Sequence, residues 1–126
     1  MPKRIVVVDD EPDIRHMLEL ALATQNYEVK TAADGAEGLQ LIKKLMPDLA
    51  ILDVKMPRLN GFELLVEMRK NPDMKTIPVI MLTSLTAGGS KSDEMWRDSL
   101  EVTEFLSKPF DTKALLDRVN RVLSDS

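Results

Sequence analysis

Short apolar, β-branched runs alternate with stretches of helical period from end to end, and this alternation constrains the fold more than any other feature. Ile5–Val8 is wholly apolar, as a strand buried on both faces must be. Ile14, Met17, Leu18, Ala21 and Leu22 then recur at helical spacing, with Pro12 suited to the first turn. Val29–Ala32 is a mixed strand. Gly35–Met46 reads as a helix with Leu39, Ile42 and Met46 on one stripe, ended by Pro47. Leu49–Leu52 is a second apolar strand, and Asn60–Lys70 a helix that Asn60 can cap. Pro78–Leu82 is a third apolar strand, since a strand tolerates proline at its first residue. A helix is expected from about Ser90 to Leu100. Glu104–Ser107 is a mixed strand, and Asp111–Leu123 the last helix, with Leu115, Val119 and Val122 facing inward.

A βα unit repeated five times implies an α/β fold: a five-stranded parallel sheet with helices on both faces, a three-layer (βα)5 sandwich. The apolar strands at 5–8, 49–52 and 78–82 belong in the sheet centre, and the mixed strands at 29–32 and 104–107 at its edges. The order 2-1-3-4-5 satisfies this. It is the flavodoxin-like order, with its switch point between strands one and three. At 126 residues the chain is expected to form one domain over 1–126, large enough for a core without staples.

Composition narrows the function. There is no cysteine, which excludes disulfides, thiolate metal sites and a cysteine nucleophile. A net charge of -4 argues against direct nucleic-acid binding or an anionic membrane surface. No run is long enough to span a bilayer or act as a secretory signal, so a cytoplasmic location is expected.

Ligand sites in open parallel sheets form outside the carboxyl ends of the strands. The polar residues gather there: Asp9 and Asp10 after strand one, Asp53 after strand three, Thr83 and Ser84 after strand four, Lys108 and Pro109 after strand five. Adjacent strands one and three should bring Asp9, Asp10 and Asp53 together. Three close carboxylates repel, so at least one should have a raised pKa unless a cation intervenes. Mg²⁺ suits such oxygens and commonly joins a phosphate. Lys108 adds a mobile positive charge, and the Thr83 hydroxyl a hydrogen-bond donor. The only histidine, His16, falls on the first helix, so no serine has an evident base. Asp53 is the best nucleophile.

Val8-Asp9-Asp10-Glu11, Leu52-Asp53-Val54-Lys55-Met56-Pro57 with Gly61, Leu82-Thr83-Ser84 and Phe105-Leu106-Ser107-Lys108-Pro109-Phe110 together resemble the receiver domain of two-component response regulators across the whole chain. The resemblance implies that Asp53 accepts a phosphoryl group from a histidine kinase or histidine phosphotransfer protein. Asp10, Asp53 and the Lys55 backbone carbonyl would ligate Mg²⁺ or Mn²⁺, with Asp9 acting mainly through water. Lys108 would pair with the phosphoryl group, Thr83 would move toward it, and Phe105 would be the switch aromatic. The Lys108–Pro109 peptide would be cis. The surface of the fourth helix, fifth strand and fifth helix would then change for a downstream protein or a lost output domain. The same face would carry any weak homodimer; otherwise the domain is a monomer. Such a domain is a switch and not a turnover enzyme.

Other readings are weaker. A haloacid-dehalogenase-like phosphohydrolase needs an acid two residues after its nucleophile, where Lys55 stands. A dinucleotide binder needs a glycine-rich turn where Asp9-Asp10-Glu11 stands. An interaction module that keeps the fold but is never phosphorylated would not need the acids and Lys108. Glu101-Val102 departs from the family's usual Gly-Ala before the switch aromatic. In the family that the chain resembles, the positions of Lys55 and Leu85 tune phosphoryl lifetime. Trp96 on the expected fourth helix either packs partly on the core or anchors a partner. Asp9-Asp10-Glu11, taken alone, is a solvated turn and an acidic helix start.

Overall fold

The computed structural model describes residues 2–56, 59–84, 102–108 and 110–124. The helix expected at 90–100, with Trp96, lies outside them. So do Pro57, Leu85, Glu101 and Pro109. Five strands alternate with helices: β1 (Arg4–Val8), α1 (Pro12–Ala23), β2 (Glu28–Ala32), α2 (Gly35–Leu45), β3 (Leu49–Asp53), α3 (Gly61–Lys70), β4 (Val79–Ser84), β5 (Glu104–Lys108) and the last helix, α4 (Thr112–Ser124).

The strands form one parallel sheet in the order β2-β1-β3-β4-β5. The contrast between apolar and mixed strands has a direct counterpart in burial. Every residue of β3 is buried, whereas β2 and β5 each bury a single residue. Alternate side chains face opposite layers. Val6, Val8, Ala50, Leu52 and Met81 pack with Ile42 of α2 and Leu64, Leu65 and Met68 of α3. Ile5, Val7, Leu49, Ile51, Ile80 and Leu82 pack with Leu18 and Leu22 of α1 and Leu115 and Val119 of α4. This is a flavodoxin-like three-layer α/β fold. No helix among the described residues is long and apolar enough to cross a membrane.

Several boundaries differ from the sequence expectation by one or two residues. β3, β4 and β5 run on through Asp53, Ser84 and Lys108, because the parallel ladder continues to those residues (Asp53 opposite Leu82, Ser84 opposite Lys108). β4 begins at Val79, while the Pro78 carbonyl accepts the Ala50 N–H at 3.1 Å. Met46 is a left-handed cap, φ 46°, beyond the end of α2, because proline at the next position disfavours helical geometry before it. It is exposed and not part of the apolar stripe, whereas Met68 is buried.

Candidate functional site

The carboxyl ends of β1, β3, β4 and β5 meet at one rim. Asp9, just past β1, is fully buried, and its N–H donates to Ala32 O at 3.1 Å. Asp9 Oδ1 accepts the Glu11 N–H at 2.9 Å, and Arg15 of α1 donates to the Asp9 carbonyl at 2.8 Å. These bonds fix the acidic turn between β1 and α1. Asp10 is exposed above it.

Asp53 closes β3 and is buried at the same rim. The chain beyond it is held by Val54 N–H on Leu82 O (3.0 Å) and Gly61 N–H on Val54 O (2.9 Å). A Cβ at Gly61 would stand 2.3 Å from Asp53 O and 3.0 Å from Met81 Cε, so only glycine lets α3 start this close to the acid. The α3 start is locked by a capping box: Asn60 Oδ1 accepts the Glu63 N–H, and Glu63 Oε1 accepts the Asn60 N–H, both at 2.9 Å.

Carboxylate oxygens of Asp9, Asp10, Glu11 and Asp53 all lie within 4.8 Å of one another. Lys108, the last residue of β5, reaches into this cluster. Its Nζ is 2.9 Å from Asp9 Oδ2, 2.9 Å from Glu11 Oε1 and 3.3 Å from Asp53 Oδ2. The lysine expected to be a mobile charge is thus held by three carboxylates. Asp9 Oδ2 is buried with Lys108 as an ion-pair partner but with no hydrogen-bond donor in good geometry among the described residues. An open depression of about 450 Å³, lined by Asp10, Val54, Lys55, Met56 and Asn60, adjoins the cluster.

Burial, with the Asp9 charge second, pushes the Asp53 carboxyl up to about 7, against the pull of Lys108. Repulsion between acids was the expected cause, yet loss of water contributes more. Burial works against the Lys108 ammonium too, but its close pairing with the Asp9 and Glu11 carboxylates and the charge of Asp53 outweigh it and raise its pKa.

Thr83 is buried near the end of β4, opposite Ser107 and one residue beyond Leu82, the partner of Asp53. Phe105 is half-buried in β5, packs against the core on the α2–α3 side, and its carbonyl faces Arg118 NH1 at 3.5 Å. His16 is exposed on α1. Two contacts were not read from the sequence: the Glu11 side chain on Lys108, and Arg15 on the Asp9 carbonyl. The close approach at Gly61 did leave a sequence signal, a glycine directly after a capping asparagine.

Residues 5–120 match the family described as response regulator receiver domain. The chain belongs to that family. Receiver domains are signalling switches of two-component systems, and they bind Mg²⁺ at an acidic pocket. In this receiver domain the cluster fits that ion: the donors are hard oxygens, and buried Asp9 Oδ2 has the Lys108 ion pair but no hydrogen bond among the described residues. Among solved structures, the chemotaxis protein CheY4 of Vibrio cholerae is similar at 36% identity with a TM-score of 0.88, over 98% of this chain and 100% of that one. Protein PilH of Pseudomonas aeruginosa is 32% identical over 96% of this chain and 98% of its own length. A protein named probable transcriptional regulator ycf27, from Cyanophora paradoxa, is 43% identical over 96% of this chain and 48% of its own length. The receiver domain therefore spans about half the length of the first curated relatives it matches, and nearly all of others.

Proposed function

We propose that this receiver domain accepts a phosphoryl group on Asp53 from a phosphohistidine donor, with Mg²⁺ or Mn²⁺ as cofactor. The observation that carries the reading is the convergence of four acids within 4.8 Å, with Lys108 Nζ 3.3 Å from Asp53 Oδ2. Acids packed this closely serve stability poorly, but they suit a cation and a phosphoryl group.

A carboxylate oxygen of ionised Asp53 attacks phosphorus. The new P–O bond gives an acyl phosphate as the P–N bond of the donor breaks, and the imidazole nitrogen keeps that electron pair and regains a proton. Asp10, Asp53 and the Lys55 backbone carbonyl would hold the cation, with Asp9 acting mainly through water. Bound there, the cation offsets the carboxylate repulsion and the charge on the phosphoryl oxygens. Lys108 supplies a second positive charge from the β5 side. The phosphoryl oxygens then offer Thr83 a hydrogen bond, its shift frees space, and the half-buried Phe105 ring turns inward. The equilibrium moves only by the difference in affinity of the phosphoryl group for the two states. The face made by β5, α4 and the segment between β4 and β5 changes for a partner. The domain assists its own phosphorylation and dephosphorylation without being a turnover enzyme.

The donor is a histidine kinase or a histidine phosphotransfer protein. The recipient of the signal is a downstream protein or an output domain, consistent with relatives of both lengths. With a net charge of -4 the receiver does not itself contact nucleic acid. It works in the cytoplasm, as a monomer or a weak homodimer through the face of the helix expected at 90–100, β5 and α4. Phosphoramidate, whose P–N bond stands in for phosphohistidine, tests the reading. Phosphorus NMR should show an acyl phosphate with Mg²⁺, and none after chelation or in Asp53→Asn. A signal that persists in Asp53→Asn overturns the choice of acceptor.

A further inference from the structure

We infer that Glu11 is a positioning residue: its carboxylate holds the Lys108 ammonium on the β1–α1 side of the site and competes with the phosphoryl group on Asp53 for it. This inference rests on the phosphoacceptor reading above.

Glu11 occupies the N-cap of α1 in an extended conformation, yet its side chain makes no capping hydrogen bond. A carboxylate there would ordinarily serve the free N–H groups of the first turn. Instead it crosses to β5, where Oε1 accepts from Lys108 Nζ at 2.9 Å. Both backbone groups of Glu11 are committed elsewhere: its N–H donates to Asp9 Oδ1 at 2.9 Å, and its carbonyl accepts the Arg15 N–H at 3.1 Å. The side chain alone is left to move. The two partners differ in surroundings, since the Glu11 side chain is 57% exposed and that of Lys108 only 13%. Glu11 can therefore swing into water, whereas Lys108 stays among the acids.

The ammonium has three N–H bonds and three carboxylates around it. A phosphoryl group on Asp53 brings further oxygens and negative charge to the same ammonium. Glu11 then has to release Lys108. Ion pairs with one exposed partner are weak, so this catch resists the phosphoryl state without preventing it.

Two variants separate contact from charge. Glu11→Gln keeps the length and removes the charge; Glu11→Asp keeps the charge and shortens the reach. The measurement is beryllofluoride affinity at saturating Mg²⁺ by calorimetry, with Mg²⁺ affinity and melting temperature measured alongside. Both variants should bind beryllofluoride roughly two- to five-fold tighter than the wild type, the factor expected for a weak ion pair. A merely structural role would weaken binding along with melting temperature. Unchanged or weaker beryllofluoride binding overturns the inference. So does wild-type behaviour in Glu11→Asp, which would assign the effect to diffuse charge. A loss of Mg²⁺ affinity beyond about ten-fold in both variants would make Glu11 a metal-holding group instead. Wild-type protein that is folded but binds no beryllofluoride would refute the phosphoacceptor reading itself, and this inference with it.

Discussion

Asp53 has little water to stabilise its charge and a second buried carboxylate beside it, so the metal-free protein carries a titration that acts on its stability. Its pKa in the folded chain is about 7, against about 3.9 for an unfolded aspartate. Between those values the folded state binds a proton that the unfolded state has released. The Asp53 contribution to stability must therefore fall as pH rises through this window, and level off above it. Asp53→Asn removes the effect. Urea midpoints in chelator should decline from pH 5 to pH 8 more steeply for the wild type than for the variant. At pH 8 the variant should be the more stable by about 1–2 kcal/mol, below the full 1.4 kcal/mol per pKa unit because water reaches the rim. Parallel declines would mean that Lys108 already neutralises the carboxylate. Asp9, Asp10, Asp53 and Lys108 were legible in the sequence because strand ends and strand order alone bring them together. The Glu11 contact was not. It joins residues 97 positions apart through two flexible side chains, and an acid at a helix start has an ordinary explanation without it.

Two glycines let helices approach the sheet closely. Gly61 lets α3 begin against the Asp53 carbonyl, and Gly38 lets α2 lie on Val8, whose Cγ2 would be 2.7 Å from an added Cβ. Either glycine replaced by alanine should cost about 1–3 kcal/mol, the usual penalty for overpacking, read by urea unfolding. The two should part in function. Gly61→Ala displaces the backbone of Asp53 and should slow phosphoryl uptake at saturating Mg²⁺; Gly38→Ala should leave it nearly unchanged. Equal effects on uptake would mean that general loosening, not the Asp53 carbonyl contact, limits the site. The helix starts at Pro12 and Asn60 were readable from a first-turn proline and a capping side chain; the last helix starts one residue later than read, at Thr112, where Asp111 Oδ1 accepts the Lys113 N–H at 3.0 Å. Pro47 marked the end of α2 to within one residue, but periodicity carried the stripe onto Met46, which is the left-handed cap.

For the whole molecule, one asymmetry fixes both fold and site. Apolar strands belong in the centre, and the flavodoxin-like order that satisfies this places β1 beside β3 and their acidic ends together, as the sheet does. The path of the inward signal is less legible, because Thr83 and Phe105 look like ordinary packed strand residues and differ from them only through what phosphorylation would change. The most direct test of the site is to locate the acceptor. The wild-type protein is incubated with acetyl phosphate and Mg²⁺, reduced with borohydride, digested and mapped by mass spectrometry. Borohydride converts an aspartyl phosphate to homoserine, and the expected result is homoserine at position 53 alone, absent when chelator replaces Mg²⁺. Homoserine at Asp9, Asp10 or another acid, or no reduced residue in protein that remains folded, would contradict the assignment of Asp53.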